Sequence, residues 1–200
     1  MKKLLVLAAL GAFSLIAQAQ YLGELKGSGS LQATYGRVDG SRDARNATCD
    51  VAVNIHDTAT EFGLTYSYYN CQALGIWNDF SEVYKIQGSQ LLDAKGNVKG
   101  SIAEDGTVQF STTKSSSMQY RLDHLDMDCR LEYSEVKTLV LNEKVTYSIK
   151  KQENGAYAIT RQFAGDQVAY TSRRQYSHCR AVTVPTKVQN RSVLTATVKK

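Results

Sequence analysis

Asp123-His124-Leu125-Asp126-Met127-Asp128 places three carboxylates and an imidazole within six residues, a set of donors that could hold a hard cation. The glycine and closing glutamate of a calcium loop do not follow, so Asp123, His124, Asp126 and Asp128 read more plainly as a charged turn ahead of Cys129. Further on, Arg173-Arg174-Gln175-Tyr176-Ser177-His178-Cys179-Arg180 mixes cations with an aromatic ring. Those are the residue types that an anionic glycan, lipid headgroup or protein partner recognises. On a strand, residues two apart share a face, which would align Arg174, Tyr176, His178 and Arg180 and turn Arg173 away. Ser111 with Lys114, Ser134 with Lys137, and Ser148 with Lys151 match Ser-x-x-Lys, but the companion Lys-Thr-Gly is missing. There is no Gly-x-Ser-x-Gly elbow, no paired-histidine zinc motif and no Walker loop. No catalytic residue and no cofactor are expected.

The four cysteines carry a different chemistry. Cys49, Cys71, Cys129 and Cys179 are an even set, which in an oxidising compartment means two disulfides. None of them are at the two-to-four-residue spacing of a zinc site, and His56, His124 and His178 are scattered. Of the three possible connectivities, Cys49 with Cys71 and Cys129 with Cys179 is favoured. The first pair would close the open end of a hairpin over residues 50–70, and the second would staple two distant strands. If Val51, Val53 and Ile55 face the core together with Phe62, Leu64, Tyr66 and Tyr68, then Cys49 and Cys71 point to opposite sides. A β-bulge near Tyr69 would reconcile them.

An oxidising compartment is also what the first residues imply. Lys2 and Lys3 precede an apolar run over residues 4–17, and Ala17-Gln18-Ala19 supplies small residues for cleavage, the three parts of a secretory signal in order. The expected product starts at Gln20. The apolar run is fourteen residues, short of the roughly 20 that span a bilayer. The short two-lysine start is in the bacterial style, which predicts a periplasmic or extracellular protein with no transmembrane segment in the mature chain. Without Lys2 and Lys3 the chain carries 22 basic against 19 acidic residues, a net charge of +3 rather than +5. That near balance argues against nucleic acid as a partner. Residues 20–184 are expected to form one domain, and residues 185–200 a basic tail or last edge strand.

The elements that must position these groups alternate with period two, and no helical period is sustained. Candidate strands cover residues 25–35, 51–55, 62–68, 80–86, 89–92, 100–103, 107–112, 118–122, 131–141, 144–150, 156–162 and 167–176, with 181–184 finishing the last. The segment 131–141 fits a helix nearly as well. Turn signals stand at Lys95-Gly96-Asn97, Glu104-Asp105-Gly106, Glu153-Asn154-Gly155 and Ala164-Gly165-Asp166. The charged stretch 37–47 reads as a mobile loop. Pro185 is the only proline, so long antiparallel strands are expected. A meander of this length must close or leave a hazardous edge. The expected fold is therefore all-β, a single antiparallel up-and-down barrel of about 8–10 strands, with a half-barrel or β-sandwich as the alternative. Inward residues are expected to include Val51, Val53, Ile55, Leu64, Tyr66, Val108 and Phe110. An outer-membrane barrel would need an apolar outward band that the strands do not carry.

The Gly-rich first strand, residues 23–36, followed by consecutive hairpins with alternating aromatics, resembles the lipocalin-like, or calycin, β-barrels. The resemblance covers residues 21–184. The Gly-x-Trp that lipocalins carry in their first strand has its one match at Gly75-Ile76-Trp77, after Cys71, so no residue role is carried over. What the resemblance implies is a barrel that holds an apolar or amphipathic small ligand. An envelope module for structure or protein interaction is the second reading and an enzyme the third. Twelve tyrosines against five phenylalanines and one tryptophan suit a cavity whose buried hydroxyls find partners. Tyr66, Tyr68 and Tyr120, with Arg174, Tyr176, His178 and Arg180, are the ligand-binding candidates. The partner would be a small apolar ligand or an anionic envelope component.

Overall fold

The computed structural model describes residues 21–71 and 80–200, without the side chains of residues 21, 22, 66–70 and 80. The expected signal segment, Gly75-Ile76-Trp77 and the side chains of Tyr66 and Tyr68 therefore lie outside the described residues. Among the described residues the chain is all-β and forms ten strands: β1 Tyr21–Gly36, β2 Arg42–Asp57, β3 Glu61–Cys71, β4 Phe80–Gln87, β5 Gln90–Leu92, β6 Val98–Ile102, β7 Val108–Leu125, β8 Leu131–Lys151, β9 Tyr157–Arg173 and β10 Val182–Lys199. Each pairs antiparallel with its neighbour in sequence, and β1 also pairs with β10, so one sheet closes on itself. The segment 131–141 is strand within β8, and β2 begins at Arg42 inside the stretch expected as a loop. The last residues are neither tail nor edge, because β10 is hydrogen-bonded to β9 on one side and to β1 on the other.

Closure depends on the glycine-rich strand. At Gly27 a Cβ would stand 1.8 Å from the carbonyl oxygen of Thr197 across the β1–β10 pair, so only glycine admits the approach that closes the sheet. The period-two pattern then sorts the faces. Val51, Val53, Ile55, Leu64, Val108 and Phe110 are buried as expected, and Leu194, Ala196 and Val198 of β10 alternate with exposed Val193, Thr195, Thr197 and Lys199. Phe110 stands at the centre, its ring 4.9 Å from Tyr147, 5.0 Å from Tyr84 and 6.2 Å from Phe62. The interior of the closed sheet is thus packed with side chains.

Both disulfides form with the expected pairing, Cys49–Cys71 and Cys129–Cys179. Cys49 is directly opposite Cys71. The register between β2 and β3 slips between Ala52↔Tyr68 and Val53↔Tyr66, leaving Ser67 as the extra residue. This is the parity shift that the two half-cystines required.

Among the described residues, five of the hairpin turns are built alike. In each, two backbone bonds frame a three-residue loop whose last position has positive φ: Gly40, Gly96, Gly106, Cys129 and Gly155. This is a type I turn followed by a left-handed residue, a place that favours glycine. Cys129, with φ 63°, occupies it in the turn that carries the long-range disulfide. The fourth glycine signal, Gly165, is no turn but an interior position of β9. A Cβ there would come within 2.5 Å of the Phe163 ring.

Gly165 marks where the sheet divides. It is opposite Glu143, the last pair between β8 and β9 in that direction. Beyond it β7 and β8 continue as a two-stranded ribbon to Leu125↔Leu131, while β9 and β10 continue as another to Arg173↔Val182. The breaks expected between residues 112 and 118, 141 and 144, and 162 and 167 are absent, because each strand runs from the closed sheet into its ribbon without interruption. The two tips are joined by Cys129–Cys179. The side-chain amide of Gln175 donates to the Leu125 carbonyl and accepts from the Leu125 N–H, both at 2.9 Å.

Candidate functional site

The site lies at the end of the closed sheet opposite the ribbons. The β2–β3, β6–β7 and β8–β9 turns meet there around a pocket of about 390 Å³. Phe62, Ile86, Ile102, Val108 and Ile149 give it an apolar floor, and Asp57, Thr58, Lys151 and Tyr157 provide the polar groups of its wall. Alternation explains the division. Val108 and Ile149 end the inward rows of β7 and β8 and are paired with each other, and Ile86 and Ile102 pack against the core. The polar residues come from strand ends and turns, where the pleat no longer dictates a face.

The polar groups are tied to one another. Tyr157, 2% exposed, donates its hydroxyl to Oδ2 of Asp57 at 3.2 Å, and Nζ of Lys151 lies 5.9 Å from the Tyr157 ring centroid. Burial, and then the Asp57 carboxylate beside it, pushes the Tyr157 hydroxyl well above the ordinary tyrosine range. Tyr157 is therefore a fixed donor at neutral pH and no base. Thr58 holds the neighbouring turn, its hydroxyl accepting from the N–H of Glu61 at 2.9 Å while its own N–H donates to the Glu61 carbonyl at 3.0 Å.

The groups that the sequence singled out are elsewhere. Arg174, Tyr176, His178 and Arg180 are not on a strand face, because residues 174–181 form the turn between β9 and β10. There Arg174 donates to the carbonyl of Ser177 at 3.2 Å, Tyr176 stacks against His178, and Nε2 of His178 is 2.7 Å from the Met127 carbonyl. Tyr120 is half-buried on the ribbon part of β7. Asp123 accepts from Ser134 and Arg121, and these contacts, Ser134 first, hold its carboxyl below the usual range. His124 is 2.8 Å from Glu135 and stacks on Tyr133. Asp126 caps its own turn by accepting from the N–H groups of Asp128 and Arg130. The carboxylates of Asp123 and Asp126 thus serve the ribbon and its turn, and the four metal candidates do not converge. The structure instead brings together Cys129, His178 and Cys179, whose ligand atoms lie within 4.8 Å of one another, but both sulfurs are in the disulfide.

Sequence reasoning missed the pocket's four polar residues. Asp57 and Tyr157 are a hundred residues apart in the chain and only the closure of the sheet joins them. No family model and no curated protein sequence matches the chain.

Proposed function

We propose that this is an exported, non-enzymatic binding protein with a lipocalin-like barrel, holding a small amphipathic ligand in the pocket at its mouth. The observation that carries the reading is the pocket's division into an apolar floor and a polar wall within about 390 Å³, the lower part of the size range of small-molecule sites. The apolar body of the ligand packs on Phe62, Ile86, Ile102, Val108 and Ile149, and its polar head meets Asp57, Thr58, Lys151 and Tyr157. The raised affinity of Tyr157 for its proton keeps its hydroxyl a donor to Asp57. The two disulfides fit an oxidising compartment such as the periplasm or the outside of the cell.

Titration with a fluorescent fatty-acid analogue tests the reading. One saturable site is expected in the native protein, with binding lost in Ile102→Trp, which fills the pocket, while far-UV circular dichroism stays unchanged. Absence of saturable binding, or equal binding by the variant, would refute it.

A further inference from the structure

We infer that the ribbon-side end of the closed sheet carries a second site, for a carboxylate, built on the guanidinium of Arg161. Arg161 follows Tyr157 and Ile159 on the same inward row of β9, opposite Tyr147 on β8 and Leu194 on β10, all of them core residues. It is 7% exposed, its Nε is sealed from water without a hydrogen-bond partner, and among the described residues no carboxylate forms an ion pair with it. Its guanidinium lies over the Phe163 ring, 5.9 Å from the centroid.

An aromatic face offsets only a small part of what it costs to take a cation out of water. Arginine cannot escape that cost by losing its proton. A bound anion would remove it. The guanidinium is a planar fork whose parallel N–H groups fit the two oxygens of a carboxylate. One guanidinium balances one negative charge, so a carboxylate matches better than a phosphate dianion. The apolar neighbours Tyr147, Phe163 and Leu194 suit a carboxylate borne on a hydrocarbon. Arg161 does not line the mouth pocket, and the inference is independent of that site.

Thermal melts of the whole chain at constant ionic strength, with acetate, decanoate or inorganic phosphate added to a chloride buffer, test this. Acetate or decanoate is expected to raise the melting temperature of the native protein saturably, decanoate alone indicating that the source is an amphipathic acid. In the Ile102→Trp background, which closes the mouth pocket, Arg161→Met should weaken that response about tenfold or more, and Arg161→Met alone should melt higher than the native protein in chloride alone. Ile102→Trp should keep the response, which separates this site from the mouth pocket. A carboxylate response that survives when Arg161→Met is combined with Ile102→Trp, a response to phosphate alone, or no response in the native protein would overturn the inference.

Discussion

The closed sheet and the paired ribbons are made of the same strands but held by different forces. In the closed sheet, β7 to β10 bury alternate residues completely, as at Tyr147, Ile149, Ile159 and Leu194. In the ribbons the same strands leave Leu131, Tyr133, Val136, Val140 and Tyr170 exposed, Val136 by 71%. A two-stranded ribbon is marginal by itself, so what fixes these is the clasp at the tips. The lesson is that strand length and core are separable: backbone pairing carries β7 and β8 far beyond the last residue that the core needs.

The largest expected contrast comes from truncating one side chain in each region. Phe110→Ala should cost roughly 3–5 kcal/mol, since it opens a cavity among packed rings. Val136→Ala, on an exposed ribbon face, should change stability by no more than about 0.5 kcal/mol. Urea denaturation of the two variants measures both, and comparable losses would mean that the ribbons contain a core of their own.

The clasp sharpens the comparison further. Removing Cys129–Cys179, which spans 50 residues, should cost up to about 4 kcal/mol in the chain-entropy model. Hydrogen exchange should rise in residues 113–142 and 166–189 and stay slow at Val53, Ile149 and Ile159. Exchange rising equally everywhere would contradict the division into two regions. Once the bridge is gone, the backbone at position 129 wants glycine, as in the four turns built like it. Cys129→Gly/Cys179→Ser should therefore be more stable than Cys129→Ser/Cys179→Ser by about 1 kcal/mol.

The closed sheet was more legible in the sequence than the ribbons for the same physical reason. Where a face is buried, hydrophobic alternation is obligatory, and Val51, Val53, Ile55, Val108 and Phe110 display it. Where both faces meet water the pattern lapses. The serine run Ser115-Ser116-Ser117 then resembles a break, although it is paired residue by residue with Asn142, Leu141 and Val140. Gly165 imitated a turn because glycine serves both as a hinge and as room for a neighbouring ring. Cys49–Cys71 could be read because a hairpin brings its two ends together, although strand parity alone opposed the pairing until the bulge at Ser67 restored it, and Cys129–Cys179 was the remaining pair. The mouth pocket could not, since Asp57, Ile102 and Tyr157 end strands beside three different turns that only the closed register brings together. Nor did Arg161 stand out, because nothing in its neighbours says that a charged residue faces inward.

Isoleucine methyl groups offer the most direct test of the mouth site, because they report from both the pocket and the core. During titration with a fatty-acid analogue, the methyl resonances of Ile86, Ile102 and Ile149 should shift together and saturate, while those of Ile55 and Ile159, fully buried away from the pocket lining, stay where they are. Shifts confined to Ile55 and Ile159, or no saturable shift at any of the five, would contradict a ligand site at the mouth of the closed sheet.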